Sequence, residues 1–457
     1  MLDGIGDLRE RRVAFLAPPG FQYVAILWGI WRAGGVAVPL AVSHPLPELD
    51  YTVSNSGAEI LVAHPEFETR LQPIAQARRL RFLPTKEMFQ SANGSLPMLT
   101  VQRRAMILYT SGTTSKPKGV VTTHANIQAQ VESLIAAWGW TATDHILHVL
   151  PLHHLHGILN VLTCALWAGA KCEILPRFDA DEVWATFLRG GVTLFMAVPT
   201  IYMKLISAWD AASPEEQKRM SRACSSIRLM VSGSAALPVS TLERWKQISG
   251  HVLLERYGMT ETCMILSNPL DGERRPGSVG VPLPGIEVRL VDEKGNEVSQ
   301  GIAGEIYVRG PGVFSEYWRN QEATNEAFRD GWFRTGDVAV WENGGYRMLG
   351  RSSVDIIKTG GFKVSGLEIE EVLRTHPTIA ECAVVGLADD TWGERVCAAL
   401  VLDKGKHLSL DELRAWAKER LAVYKIPSQI AVLESLPRNA MGKVVKPELA
   451  KMLAKKK

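Results

Sequence analysis

The chain has 457 residues, too many for one ordinary core, so two or more domains are expected. Its 46% hydrophobic and 22% charged fractions fit a globular protein and exclude a disordered one. A formal net charge of +3 gives no ground for a nucleic-acid or membrane-surface partner, and the basic run KMLAKKK at the end reads as a solvated tail.

The opening stretch MLDGIGDLRERR matches neither a secretory signal nor a transit peptide, which makes the cytoplasm the expected compartment. Next comes a long apolar region, interrupted by Pro18, Pro19 and Arg32. It reads as strand, helix, strand rather than a membrane span. Up to about Val340, short β-rich runs alternate with amphipathic helices. AMILYTS is a strand signal; the helix after it places Ile127, Val131, Leu134, Ile135 and Trp138 on one stripe. CEILP is a strand, and Asp179 caps a helix that buries Val183, Trp184 and Phe187. LFMAVP and IRLMVSGSA are further strands, the second followed by the helix VSTLERWKQIS. This alternation argues for mainly parallel sheets covered by helices, with ligands at the carboxyl ends of the strands. After Pro276 the texture becomes a small antiparallel unit. The polar joint GRSSVD leads into helix, two strands, helix and strand. The expected organisation is a large α/β N-terminal domain over residues 1–350, a hinge at 351–353 and a small α+β C-terminal domain over 354–457. Six scattered cysteines (Cys164, Cys172, Cys224, Cys263, Cys382 and Cys397) lack C-x-x-C spacing and read as reduced thiols of an intracellular enzyme.

Between Tyr109 and Gly119 lies YTSGTTSKPKG, where small residues, hydroxyls and lysines converge as an anion site would require. It is not a Walker loop, because Pro117 stands where the second glycine belongs. Composition alone leaves phosphate binding and a flexible surface loop both open. Glu261 in ERYGMTET suits Mg²⁺ held partly through phosphates. Asp337 in FRTGD can accept from both hydroxyls of a ribose, and Lys443 in PRNAMGK is a charge able to reach a phosphate. Each also reads blandly, as a helix-start carboxylate, a turn former and a solvated lysine. His153, His154 and His156 fit no common zinc spacing.

In this order, YTSGTTSKPKGV, LPLHHLHG, SGSAALP, ERYGMTET, WFRTGD, GRSSVDIIKTGGFKV and PRNAMGK resemble the adenylate-forming superfamily of acyl-CoA synthetases, adenylation domains and luciferases. LHVLPLHHLHG, FMAVPTIYMKL and RPGSVGVPLPG look like its malonyl-CoA synthetase branch. The resemblance implies a large N-terminal domain with a small mobile C-terminal one. It also implies two half-reactions: a carboxylate attacks the α-phosphorus of ATP, then the thiol of coenzyme A displaces AMP. It implies that Thr110, Ser111, Gly112, Thr113, Thr114 and Lys118 cradle phosphates. Gly233, Ser234 and Ala235 would face the adenine, with Arg256, Tyr257 and Gly258 near it. Thr260 would touch the α-phosphate, Glu261 would hold Mg²⁺, and Asp337 with Arg351 would bind the ribose. Lys443 would bridge the carboxylate and the α-phosphate, and His154 would act as a gate. Gly360 and Gly361 would admit the pantetheine arm of coenzyme A.

A dicarboxylate needs a positive charge for its second carboxylate. The resemblance implies Arg274 as that anchor, with Ser267, Met264 and His156 shaping the pocket. Ser115 stands where the family usually has glycine, and Ser353 where its hinge has Asp or Lys. Family members carry further strands and helices ahead of GDLRERRVAFL; the motifs lie downstream of it, so the site is expected to be intact. The leading expectation is ATP-dependent ligation of malonate, or methylmalonate, to coenzyme A. A ligase for a short-chain fatty or aryl monocarboxylic acid and a non-catalytic nucleotide-binding protein are the alternatives.

Overall fold

The computed structural model describes residues 6–88, 95–110, 116–438 and 443–454. Strands β1 (Arg12–Leu16), β2 (Val36–Pro39), β3 (Ile60–Ala63), β4 (Arg81–Pro84), β5 (Arg104–Thr110) and β6 (Lys118–Thr123) build most of a first sheet. The neighbours from β5 through β2, β1 and β3 to β4 are parallel, whereas β6 returns antiparallel to β5. The second sheet contains β7 (His145–His148), β8 (Lys171–Ile174), β9 (Leu194–Ala197), β10 (Leu229–Ser232) and β11 (Leu254–Met259), all parallel. The antiparallel strands β12 (Cys263–Ser267) and β13 (Val281–Pro282) extend its edge. Their central strands are buried almost throughout, as a parallel sheet covered on both faces requires.

Local chemistry sets the helix bounds. His124–Trp138 starts in a reciprocal Thr123/Asn126 capping box and stops at Gly139, whose φ of +58° is left-handed. The Asp179 carboxylate accepts from the backbone of Asp181 and Glu182 to start Ala180–Arg189, which buries Val183, Trp184 and Phe187. One continuous apolar core, running from Leu8 to Leu283, packs helices between the two sheets around the fully buried Trp138 and Trp245. Removing side chains of that size from water contributes roughly 1.5–3 kcal/mol each.

Downstream, β14 (Glu287–Val291), β15 (Gly304–Arg309), β17 (Phe328–Arg329), β18 (Trp332–Glu342) and β19 (Gly345–Arg351) form a third, antiparallel sheet. The short β16 (Glu316–Tyr317) joins the edge of the first sheet beside β6. A fourth sheet contains β20 (Ile356–Thr359), β21 (Phe362–Ser365), β22 (Ile379–Asp389), β23 (Gly393–Leu402) and β24 (Gln429–Val432), with its own core around Ile357, Ile369, Leu400 and Leu413. The helix Gly366–Leu373 ends short of His376, the residue before Pro377, where a proline disfavours helical backbone.

Two features depart from the sequence reading. Glu261 does not end a strand before a helix: the chain reverses at Thr260–Thr262 and returns as β12. His156–Thr163 is a π-helix, a rare widening that favours functional sites. The cysteines are all free thiols. Among the described residues no helix is long and apolar enough to cross a membrane.

Candidate active site

The carboxyl ends of the strands border a cleft that Lys443 faces, close to Arg256, Arg351 and Asp337. On one side, β5 and β6 pair Thr110 with Lys118. Ser111, Gly112, Thr113, Thr114 and Ser115, between them, lie outside the described residues. The Lys118 ammonium stands 5.1 Å from the centre of the Tyr317 ring. The Tyr317 hydroxyl donates to Glu261 Oε1 at 3.0 Å, so the phosphate hairpin and the β11–β12 turn are tied together. Glu261 is only 6% exposed, and burial raises its carboxyl pKa. Thr260 precedes it in the turn, which Thr262 closes by accepting from Met259 N–H at 3.2 Å. Gly258 is demanded by the bulge there, because a Cβ would sit 2.0 Å from the Cys263 carbonyl oxygen.

Asp337, on β18, is buried and already receives two partners. The Tyr257 hydroxyl donates to Oδ2 at 2.5 Å and Arg351 Nε to Oδ1 at 2.8 Å. Arg351 opens its own backbone toward Asp355, whose Oδ2 accepts from Arg351 N–H at 2.9 Å. The other oxygen of Asp355 takes the buried Lys446 ammonium at 2.6 Å, and Lys446 also meets Glu370 at 2.6 Å. A chain of paired charges therefore runs from Tyr257 to the final helix Lys446–Ala454.

The opposite side is built differently. Gly233, Ser234 and Ala235 follow β10. Ser234 has a left-handed φ of +67°, uncommon for a residue with a side chain. That conformation sets its hydroxyl 3.2 Å from His156 Nδ1 and 3.3 Å from Arg256 Nη2. Arg256 is 3% exposed, and its Nε and Nη1 have no hydrogen-bond partner among the described residues. The guanidinium crosses Gly233 so closely that a Cβ there would lie 2.6 Å from its central carbon. Burial pulls the pKa of Arg256 down to about 9. His148 Nε2, His154 Nε2, His156 Nε2, Ser232 Oγ and both ends of the Asn160 amide are likewise buried without partners. Burial, joined at His153 and His154 by neighbouring positive charge, holds His148 and His154 down to about 4 and His153 to about 2, so these rings are neutral at pH 7. No group of three or more His, Cys, Asp or Glu residues among those described could hold a metal ion.

Lys443 keeps contact with solvent, yet its ammonium feels the whole cleft. Desolvation, then Arg256 and Arg351, lower its pKa, while Asp337 opposes them. The same charge acts on His154 and His156. The structure thus brings together Lys443, His154, His156, Ser234, Arg256, Asp337 and Arg351.

Other expected residues stand apart. Arg274 donates to the carbonyls of Pro269, Val252 and Leu270 through Nε, Nη1 and Nη2, at 3.0, 2.8 and 2.6 Å. Two of the nitrogens serve its own loop and the third ties that loop to the segment before β11, while its neighbour Arg275 pairs with Glu273 at 2.9 Å. Ser267 lies opposite Arg256 across β11 and β12, but its hydroxyl accepts from Trp138 Nε1 at 3.0 Å and donates to the Asn268 carbonyl at 2.8 Å. Met264 is buried beside Gly258. Gly360 and Gly361 form the two-residue turn between β20 and β21, both with positive φ as such a hairpin needs. That hairpin is held against Glu293, between β14 and β15, by Lys363 at 2.6 Å.

Residues 1–318 match the AMP-binding enzyme family, and residues 368–443 match the AMP-binding enzyme C-terminal domain. The chain belongs to the AMP-binding enzyme family. Among related AMP-binding enzymes, the mitochondrial malonate–CoA ligase ACSF3 of Mus musculus is 48% identical, over 98% of this chain and 83% of its own length. ATP-bound MatB from Rhodopseudomonas palustris is 35% identical and superimposes with a TM-score of 0.91, over 99% of this chain and 90% of its own. Apo MatB from the same organism, with the same identity and coverage, gives 0.81. The arrangement here is therefore nearer to the ATP-bound AMP-binding enzyme than to the apo one.

Sequence reasoning passed over Tyr317, Asn160 and the environment of Arg256. A signal for the last was present: an arginine inside a strand that is otherwise buried, LLERYG, must find a counter-charge or an anion.

Proposed function

We infer that the chain is an AMP-forming acid–thiol ligase that joins malonate to coenzyme A through an acyl-adenylate. The observation that carries this reading is the buried Arg256 guanidinium with two unpartnered nitrogens, facing the same cleft as Lys443. A planar fork of that kind matches a carboxylate, and an uncompensated buried charge is costly until an anion arrives. A diacid supplies the anion at one end and a nucleophile at the other.

Arg256, rather than Arg274, takes the distal carboxylate in this proposal, with His156 and Ser234 as polar neighbours. The proximal carboxylate oxygen attacks the α-phosphorus of ATP, and the bond to pyrophosphate breaks. Lys443 draws the two anions together and stabilises the charge that grows on the α-phosphate oxygens. Its lowered pKa reflects desolvation first and then the positive charge of Arg256 and Arg351, which an incoming nucleotide relieves. Thr110, Lys118 and the loop between them hold the β- and γ-phosphates, Thr260 the α-phosphate. Asp337 presents its remaining lone pairs to the ribose, fixed in place by Tyr257 and Arg351. Gly233 and Ala235 border the adenine.

Magnesium fits Glu261. It is a single buried carboxylate with a raised pKa, in an oxygen-donor setting where phosphates supply the other ligands. When bound there, the ion neutralises the departing pyrophosphate. His154 is neutral and stands between Lys443 and the acyl side, as a gate for the thiol would.

In the second step the thiol sulfur attacks the acyl carbon, and AMP leaves with the electrons of the broken carbon–oxygen bond. We place a hinge at 351–353 between domains 1–350 and 354–457. Its rotation withdraws Lys443 and brings Gly360 and Gly361 to the cleft.

A panel of small mono- and dicarboxylic acids with ATP, Mg²⁺ and coenzyme A, read by AMP formation, tests the reading. Malonate is expected to lead. Preference for a monocarboxylic acid of equal length would overturn it.

A further inference from the structure

The helix Val239–Ser249 begins shortly after Ala235, in the stretch proposed to border the adenine, and it begins without a side-chain cap from its own domain. Its N-cap is Pro238, whose ring offers no acceptor, and its first turn holds no acidic residue. Yet the N–H of Val239 has a partner: it donates to Glu371 Oε2 at 3.2 Å. Glu371 belongs to the helix Gly366–Leu373, on the other side of the hinge proposed above. One domain thus supplies the carboxylate that caps a helix of the other, at the positive end of that helix's dipole.

Both ends of this contact are firmly mounted. The fully buried Trp245 fixes the first helix in the large core, and Ile369 and Leu373 fix the second in the small one. Glu371 is also aimed from its own side: its other oxygen accepts from Arg374 Nη1 at 2.5 Å. Arg374 keeps Glu370 at 2.9 Å as well, so removing Glu371 strands no cation. The like charge nearby is muted. Glu255, next to Arg256 on β11, is pushed up to about 8 by burial and then by Glu371, against the pull of the Gly277 N–H. At pH 7 it therefore meets Glu371 largely as a neutral acid. The ion pair across the same joint, Lys363 with Glu293, joins two exposed side chains, and such pairs hold little.

We propose that Glu371 is a positioning residue: by capping the helix Val239–Ser249 across the domain joint, it holds the small domain where Lys443 faces the cleft. The proposal rests on the ligase reading and on the hinge. Glu371 acts through the place it gives Lys443, not on the reacting atoms. When the hinge turns, the cap is lost and the start of the helix meets water, so each turnover breaks and remakes one helix cap. Gly233–Ala235 leads into the capped helix, so a nucleotide seated there steadies the same helix start that Glu371 needs.

The test reads the two half-reactions separately in the full-length enzyme. In Glu371→Ala, malonate-dependent pyrophosphate exchange is expected to fall about fivefold relative to thioester formation from preformed malonyl-adenylate, the usual effect of losing one helix cap. Glu371→Gln keeps an acceptor for the Val239 N–H and is expected to recover part of that ratio. Pro238→Asp, made in the other domain, caps the helix locally and repels Glu371, and is expected to shift the ratio the same way. An equal loss in both half-reactions, or a ratio within about twofold of the parent, would overturn the proposal. So would a shift in Glu371→Ala that Pro238→Asp does not share, because Glu371 would then act inside its own domain. A parent enzyme without malonate-dependent exchange would overturn the ligase reading instead, which separates the two failures.

Discussion

The two walls of the cleft follow opposite rules. On the wall proposed to hold phosphates and ribose, the carboxylates are partnered before any ligand arrives: Asp337 holds Tyr257 and Arg351, Asp355 holds Arg351 and Lys446, and Glu261 holds Tyr317. On the opposite wall Arg256, His148, His156 and Ser232 are buried with polar atoms that have no hydrogen-bond partner among the described residues. Closed networks give fixed geometry, which suits a nucleotide common to every turnover. Open polar atoms in a buried wall carry a free-energy cost that the right substrate removes, which is a source of selectivity.

The closed side breaks most severely through stability. Lys446→Met leaves Asp355 without its cation and Glu370 with Arg374 alone, and removing one partner of a buried ion pair typically costs about 3–5 kcal/mol. Chemical denaturation should show that loss, and a variant as stable as the parent would mean the network is not closed. Lys443→Ala touches chemistry instead. Malonate-dependent pyrophosphate exchange should fall about 100- to 1000-fold, the usual cost of deleting one preorganised charge at a developing anion. Thioester formation from preformed malonyl-adenylate should stay within a few fold. Equal damage to both steps would contradict the swing of the C-terminal domain.

On the open side, Arg256→Met should reduce kcat/KM for malonate about 100-fold while leaving a monocarboxylate of similar length little affected. Unlike Lys446→Met it should not destabilise the empty enzyme, because it removes a buried charge that lacks a full set of partners. A drop in melting temperature without a change in acid preference would reverse the assignment of this wall.

The buried histidines give the comparison a pH dependence. His148 and His154 are held at about 4, against an ordinary value of 6.5, because burial disfavours their charged forms. The unfolded chain therefore binds more protons than the folded one below pH 6.5. Stability is intact above that value and declines as pH falls toward 4, by about 1 kcal/mol for each ring between pH 6.5 and 5.5. Denaturation midpoints across that range measure it. Activity between pH 7 and 8 should owe nothing to their titration.

How far the sequence anticipates this differs by region. The helices His124–Trp138 and Ala180–Arg189 are legible because periodicity, cap and terminating glycine agree, and Val239–Ser249 because periodicity and the terminating Gly250 do. The hairpin reversal after Glu261 is not, since Thr260–Thr262 carries no glycine or proline and closes through a Thr262 hydroxyl bond that only the folded backbone defines. The π-helix is invisible to a 3.6-residue pattern. The paired wall announces itself in the motifs through the charges of Asp337, Arg351 and Glu261, although the pairing of Asp337 on β18 with Arg351 on β19 needs the folded sheet to define it. The open wall does not, because the signal at Arg256 is the absence of a partner, which needs three-dimensional neighbours to detect.

Arg274 and Arg256 bring the contrast down to one residue type. Each sits close to the edge of the second sheet, and by motif alone Arg274, in its exposed loop, looks better placed to meet a substrate. Its three nitrogens already close the loop onto the carbonyls of Val252, Pro269 and Leu270. To bind an anion it would have to abandon those bonds, whereas Arg256 would abandon nothing but its contact with Ser234. Arg274→Ala should therefore leave malonate turnover near the parental rate and cost about 1–2 kcal/mol of stability, the net worth of a few partly exposed hydrogen bonds. The same variant measured for turnover and for denaturation midpoint decides the matter. Loss of malonate use with full stability would return the substrate charge to Arg274 and leave the open nitrogens of Arg256 without a purpose.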